Sequence, residues 1–153
     1  MKSKFTFRAI AVLCSISSLL AATSTMARGG DSEVKPLVLH KIMRELGQNM
    51  QIITDGISLK EWGLIAKIAL QVANHPQPPM VEKMRILSFV GTDAGNFKAY
   101  DDKTHQAAEE VSRAALRQDG PAVLSTFAKL QNSCIACHQN FRKPFLEHFY
   151  GQH

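Results

Sequence analysis

The amino-acid sequence predicts an all-α protein, an antiparallel up-down-up-down four-helix bundle. Apolar residues recur at steps of three and four along nearly the whole chain after residue 34, the spacing of one helix face, and no stretch shows the alternation of a strand. The segments that separate these helical stretches are short, so successive helices must pack against one another in opposite directions.

Residues 1–27 are expected to be a secretory signal peptide rather than part of the fold. Basic residues precede an uncharged apolar run over 9–22, and small residues around Ala27 suit cleavage. The run is too short for a membrane span, so we expect none in the mature domain, residues 28–153.

Removal of that segment changes the charge and the cysteine count. The chain carries +5, but the mature part has 15 basic against 13 acidic residues, so its charge falls to +2 and gives no reason to expect nucleic-acid binding. Cys14 lies in the removed segment, which leaves Cys134 and Cys137.

The first two predicted helices carry apolar faces. The seam of the first consists of Leu39, Met43, Leu46, Met50, Ile53 and Ile57. We expect it to end near Gly56, and Ser58 with Glu61 has the form of a capping box that starts the second helix. That helix should stop at His75-Pro76, and its inward residues are Trp62, Ile65, Ala69 and Val72.

A proline-rich break over residues 76–79 separates this pair from the rest of the chain. A short helical piece follows, and its apolar face is formed by Val81, Met84, Leu87 and Val90. After a loop over 91–95, a third long helix runs over about 96–118, with the small inward residues Thr104, Ala108, Val111 and Ala115. Small groups leave room for a closely packed helix or for a flat macrocycle.

The fourth helix is expected to begin at Pro121, because proline is tolerated in the first helical turn. Pro144 should limit its length. Its inward seam consists of Val123, Phe127, Leu130, Cys134, Cys137 and Phe141.

The segment Cys134-Ile-Ala-Cys137-His138 has the spacing of a c-type haem attachment site. On a helix, the two thiols and the imidazole project from nearly one face, so both thiols can add to haem vinyl groups while His138 binds the iron. The alternatives are a redox dithiol, which would need a βαβ pattern, and a zinc site, which would need a second ligand pair; neither is present in the sequence. No other histidine has a partner at metal-ligand spacing.

The chain resembles the cytochrome c′-type, or class II, c-type cytochromes. The resemblance rests on Cys134 to Arg142 near the C-terminus, on residues 118–122 where the last helix begins, on residues 40–47 of the first helix and on residues 97–99 at the start of the third. It is weak over about 68–92. It implies a bundle with a covalently attached haem c. It makes Cys134 and Cys137 the thioether attachments and His138 the proximal ligand, and it places Arg142 beside the haem.

The resemblance leaves the distal face of the iron open between two branches. Met43 matches the methionine ligand of the low-spin, electron-transferring branch, whereas a methionine on a helix seam is more often core packing, as expected for Met50. His40 is a competing ligand that we rank below Met43.

We therefore expect a periplasmic carrier of single electrons between redox partner proteins, with His138 and Met43 as axial ligands and no enzyme activity. The alternative is a high-spin five-coordinate protein that binds nitric oxide or carbon monoxide at a vacant distal site. A third reading is an accessory subunit of a larger complex. The sequence leaves monomer and homodimer both open.

Overall fold

A computed structural model describes residues 37–151, and all of the regular structure in this range is helical. The helices are α1 Val38–Leu59, α2 Trp62–Ala73, α3 Met80–Val90, α4 Ala94–Leu116 and α5 Gly120–Tyr150, with a 3₁₀ turn at Gly91–Asp93. The four longer helices α1, α2, α4 and α5 form the predicted four-helix bundle, and α3 lies in the connection between α2 and α4. The predicted fold class is confirmed. The predicted signal peptide lies outside the described residues.

The main core is built where α2, α4 and α5 meet, and α1 contributes Ile53 to it. Small side chains let α2 and α4 approach closely, and these are Ala66, Ala69, Ala73, Ala107, Ala108, Ala114 and Ala115, all buried. The branched and aromatic residues that complete this core are Ile53, Ile65, Val72, Val111, Val123, Phe127 and Leu130. The small inward face predicted for the third long helix therefore serves mainly helix packing.

A second apolar cluster closes one end of the bundle. It joins the start of α1 to α3 and to the end of α5, and its buried members are Leu37, Ile86, Val90, Phe145 and Phe149. The rings of Phe89 and Phe145 meet edge to face at 5.2 Å, a favourable arrangement of aromatic pairs.

The start of α1 is tied to this end by hydrogen bonds from its free backbone N–H groups. Those of Val38 and Leu39 donate to the two carboxylate oxygens of Glu82, each at 2.7 Å, and that of Leu37 donates to the Tyr150 hydroxyl at 3.1 Å. Two distant helices thus satisfy donors that no residue within α1 can.

The predicted boundary between the first two helices was wrong. Helix α1 continues through Gly56 to Leu59 and ends at Lys60, which adopts a left-handed conformation with φ 58°. The predicted capping box does not form, because the Ser58 hydroxyl donates to the Thr54 carbonyl and Glu61 makes no capping bond. Gly56 is instead a point of close approach, since a Cβ there would lie 2.9 Å from Cγ1 of Ile65.

Two further predictions about the later helices were also wrong. Helix α5 passes through Pro144 and ends at Tyr150, because Phe145 and Phe149 beyond the proline are buried in the second cluster. Helix α3 buries Glu82, Ile86 and Val90, so of its predicted face only Val90 is buried, while Val81, Met84 and Leu87 are exposed.

Among residues 37–151, no helix is both long enough and apolar enough to cross a membrane.

Candidate functional site

Helix α5 carries the Cys134–His138 segment in an unbroken helical stretch. The two cysteines are free thiols and half-buried, whereas His138 is exposed. Because positions i, i+3 and i+4 share a helix face, all three side chains leave α5 on one side. This is the arrangement that covalent haem attachment needs.

Two side-chain hydrogen bonds from α4 hold this part of α5. The hydroxyls of Thr104 and Ser133 lie 3.0 Å apart, and the Asn140 amide donates to the Tyr100 hydroxyl at 3.1 Å. One contact precedes Cys134 and the other follows His138, so the segment is fixed at both ends.

Burial keeps both thiols protonated at neutral pH. It raises the pKa of Cys134, and it is the main cause that raises the pKa of Cys137 to about 11. The carboxylate of Asp101 adds to the shift at Cys137, because a nearby negative charge disfavours a thiolate. The field of Asp101 therefore reaches the Cys134–His138 segment.

His138 is held in its neutral form. Partial burial, and then the positive charge of Arg142, lower the pKa of its imidazole. A neutral imidazole keeps a nitrogen lone pair free for a metal. Arg142 thus lies close enough to His138 to act on it electrostatically.

A cavity of about 420 Å³ opens beside Cys134, between α1 and α5. Its lining residues are Met50, Ala128, Gln131, Asn132, Cys134 and Ile135. Its volume lies within the range of ~300–1,000 Å³ that small-molecule and cofactor sites occupy. Of the three side chains of the Cys134–His138 segment, Cys134 is the one that lies in this wall, where a covalently attached group could begin.

Helix α1 runs antiparallel to α5 along this cavity. Leu37 meets Tyr150 at one end, and Met50 shares the cavity wall with Cys134. A helix rises ~1.5 Å per residue, so positions along the bundle axis can be compared between α1 and α5. Along this axis, Met43 lies about one helical turn from His138 toward one end of the bundle, and Met50 lies about one turn from it toward the other end.

The two methionines have different surroundings. Met43 is 36% exposed, whereas Met50 is half-buried against the main core, as expected for it. His40 is exposed, and its ring lies 5.7 Å from the ring of Tyr150 at the end of the bundle.

The structure also brings together a group that the sequence reasoning missed. His75, Asp101 and His105 each offer a ligand atom, and these atoms lie within 4.8 Å of one another. The expectation that no other histidine has a partner at metal-ligand spacing was therefore wrong. Asp101 and His105 are four residues apart on α4, a spacing that could have indicated the pair, but His75 joins them only through the tertiary fold.

Comparison with known proteins agrees with this geometry. A family model described as Cytochrome C′ matches residues 64–142, just over half of the chain. The match spans the Cys134–His138 segment and Arg142, and it includes the stretch over 68–92 where the resemblance was expected to be weak, but it does not include α1. No match was found among curated proteins or among solved structures. The chain belongs to the cytochrome c′ family, whose cofactor is covalently attached haem c.

Proposed function

We propose that this protein is a periplasmic cytochrome that carries single electrons between redox partner proteins. Haem c is attached through Cys134 and Cys137, with His138 and Met43 as axial iron ligands. The observation that carries the proposal is the spacing of both thiols and the imidazole on one helical stretch of α5, with Cys134 in the wall of a cavity of about 420 Å³, within the stretch that matches the family. Haem supplies a one-electron couple when bound.

The residues of α5 have three tasks in this proposal. The protonated thiols of Cys134 and Cys137 form the thioether bonds, which fix the cofactor to one helical turn. The neutral imidazole of His138 donates its lone pair to the iron. Arg142 lies near His138 and offers a positive charge to a haem propionate.

Met43 is the proposed distal ligand on α1. A thioether sulfur raises the reduction potential of a haem iron, and two axial protein ligands leave no open position for a substrate. This suits an electron carrier without enzyme activity. The proposal is supported by the resemblance, in which Met43 has the position of the methionine ligand, and by its place on α1, the helix that shares the cavity with α5.

A five-coordinate protein that binds nitric oxide or carbon monoxide is the second candidate. The exposure of Met43 favours it, because a side chain 36% exposed is only partly held by packing. Met50, at the cavity wall, would then limit the space on the distal side.

Visible spectra of the purified holoprotein separate the two candidates. Methionine ligation should give low-spin bands and a far-red sulfur-to-ferric-iron band, and Met43→Leu should remove that band. Met50→Leu on the same helix is the matched control and should leave it unchanged. A high-spin spectrum of the unaltered protein would exclude Met43 ligation, and loss of the band only in Met50→Leu would move the ligand to Met50.

Attachment of the haem is tested separately. Haem should remain with the chain on a denaturing gel and should be lost when Cys134 and Cys137 are both changed to serine. Retention of haem in the double variant would refute the proposed attachment.

A further inference from the structure

A cluster of three ligand-type side chains lies beside the haem-attachment segment, on the side of α4. His75 follows the end of α2, and Asp101 and His105 stand on successive turns of α4. The two carboxylate oxygens of Asp101 each face one imidazole, at 3.3 Å from Nε2 of His75 and 3.3 Å from Nε2 of His105. The imidazole rings lie 4.8 Å apart, centroid to centroid.

Backbone carbonyls fix the orientation of both histidines. Nδ1 of His75 lies 2.9 Å from the Pro76 carbonyl oxygen, and Nδ1 of His105 bonds to the Ala73 carbonyl oxygen. A carbonyl can only accept, so both Nδ1 atoms must carry hydrogen. In the neutral tautomers this leaves each Nε2 with a lone pair that points at Asp101. Metal-binding histidines are typically oriented in this way.

The centre of the cluster favours a positive charge. Two imidazole lone pairs and a carboxylate are all acceptors, so they repel unless a proton or a cation lies between them. The pKa of His75 is raised, chiefly by its hydrogen bond to Asp101, and the pKa of Asp101 is lowered, chiefly by the same bond. Both shifts arise from the contact between the His75 imidazole and the Asp101 carboxylate, which either a proton or a metal ion would satisfy.

The separations fit a metal ion better than a direct ion pair. Charge-assisted N–H···O bonds are usually ~2.7–2.9 Å long, and both contacts here are 3.3 Å. Ligand atoms ~2.0–2.1 Å from a tetrahedral metal ion are about 3.3 Å apart. Two contacts of the cluster therefore have the edge length of a tetrahedral site, each to a different oxygen of Asp101, and a small closure of the ligand atoms, which lie within 4.8 Å of one another, would complete it.

We propose that His75, Asp101 and His105 bind a divalent transition-metal ion of the zinc and copper class. Two imidazoles and one carboxylate suit these ions rather than Ca²⁺ or Mg²⁺, which prefer oxygen ligands. Three protein ligands leave a fourth position for water. A cavity of about 500 Å³ between α1 and α2 has His75 and Pro76 in its wall and offers a route for the ion. This site does not depend on the proposed electron transfer.

The test is a calorimetric titration of untagged, chelator-treated holoprotein with ZnCl₂ at neutral pH. We expect one strong site per chain, with affinity at least about tenfold weaker in Asp101→Asn and in His105→Gln, since each removes a ligand. His148→Gln is the matched control, because His148 stacks on Phe89 away from the cluster, and its affinity should equal that of the unaltered protein. Absence of binding, or equal affinity in Asp101→Asn, would overturn the proposal.

A second measurement needs no variant and remains decisive if one fails to fold. Crystals of the unaltered holoprotein soaked in ZnCl₂ should give an anomalous peak between His75, Asp101 and His105. A zinc peak elsewhere only, or none, would overturn the proposal.

Discussion

Glu82 shows how one buried charged residue can organise the end of the bundle. Its side chain is almost fully buried, yet both carboxylate oxygens accept backbone hydrogen bonds from the first turn of α1. The N-terminus of a helix carries partial positive charge, so it is a favourable place for a carboxylate. Glu82 therefore replaces the local cap that Leu37, an apolar residue, cannot supply.

Glu82→Gln should lower the free energy of unfolding by about 1–2 kcal/mol. The amide keeps one acceptor but turns an NH₂ group toward a backbone donor, and it removes the charge. Chemical denaturation of the holoprotein measures the change. Glu61→Gln is the control, because Glu61 is exposed and makes no capping bond. Equal effects of the two substitutions would contradict this account of α1.

The common placement of Cys134, Cys137 and His138 could be predicted because they are close together in sequence. Cys134, Cys137 and His138 lie within two helical turns, so their spacing alone fixes their common side. His75 is 26 residues from Asp101 and meets it only because α2 packs along α4. A site whose residues are far apart in sequence, such as the one formed by His75 and Asp101, can be recognised only once the tertiary fold is known.

Helix α1 contains two glycines with opposite roles. A Cβ at Gly47 would meet no atom within 4 Å, whereas one at Gly56 would lie 2.9 Å from Cγ1 of the fully buried Ile65. Glycine weakens a helix interior, so only close packing explains its presence at Gly56. The sequence suggested a helix end there, because a local pattern does not distinguish a terminal glycine from one at a helix contact.

Alanine substitutions at these two positions should therefore have opposite effects on stability. Gly47→Ala should raise the free energy of unfolding by about 0.5–1 kcal/mol, because it gains helix propensity at an open site. Gly56→Ala should lower it by about 1–3 kcal/mol, because Ile65 must move within the core. Thermal and chemical denaturation of the pair would decide this, and stabilisation by both alanines would show that α1 and α2 are not closely packed at Gly56.

Element boundaries were predictable wherever the apolar pattern and the local turn signals agreed. Pro144 is the clearest exception, since it removes the hydrogen bond to the carbonyl four residues earlier but does not end α5. Burial of Phe145 and Phe149 offsets that loss. The inward face of α3 was mispredicted because Glu82 is buried by its hydrogen bonds to the N–H groups at the start of α1. This contact joins two distant helices, so the sequence of α3 alone does not reveal it.

In the molecule as a whole, α4 lies between two candidate metal sites. Tyr100 and Thr104 hold α5 on either side of the haem-attachment segment, while Asp101 and His105 belong to the His75 cluster. Asp101 influences both, since its charge contributes to the raised pKa of Cys137. A change of charge in the cluster should therefore be felt at a haem bound to α5.

Zinc binding to the cluster should raise the midpoint reduction potential of the haem. A ferric haem carries one more positive charge than a ferrous haem, so a nearby cation disfavours the oxidised form. Spectroelectrochemical titration of the holoprotein with and without ZnCl₂ measures the shift. Asp101→Asn should respond much less, MgCl₂ at equal ionic strength should have little effect, and His148→Gln should respond like the unaltered protein. An equal shift in Asp101→Asn would mean that zinc acts elsewhere on the surface.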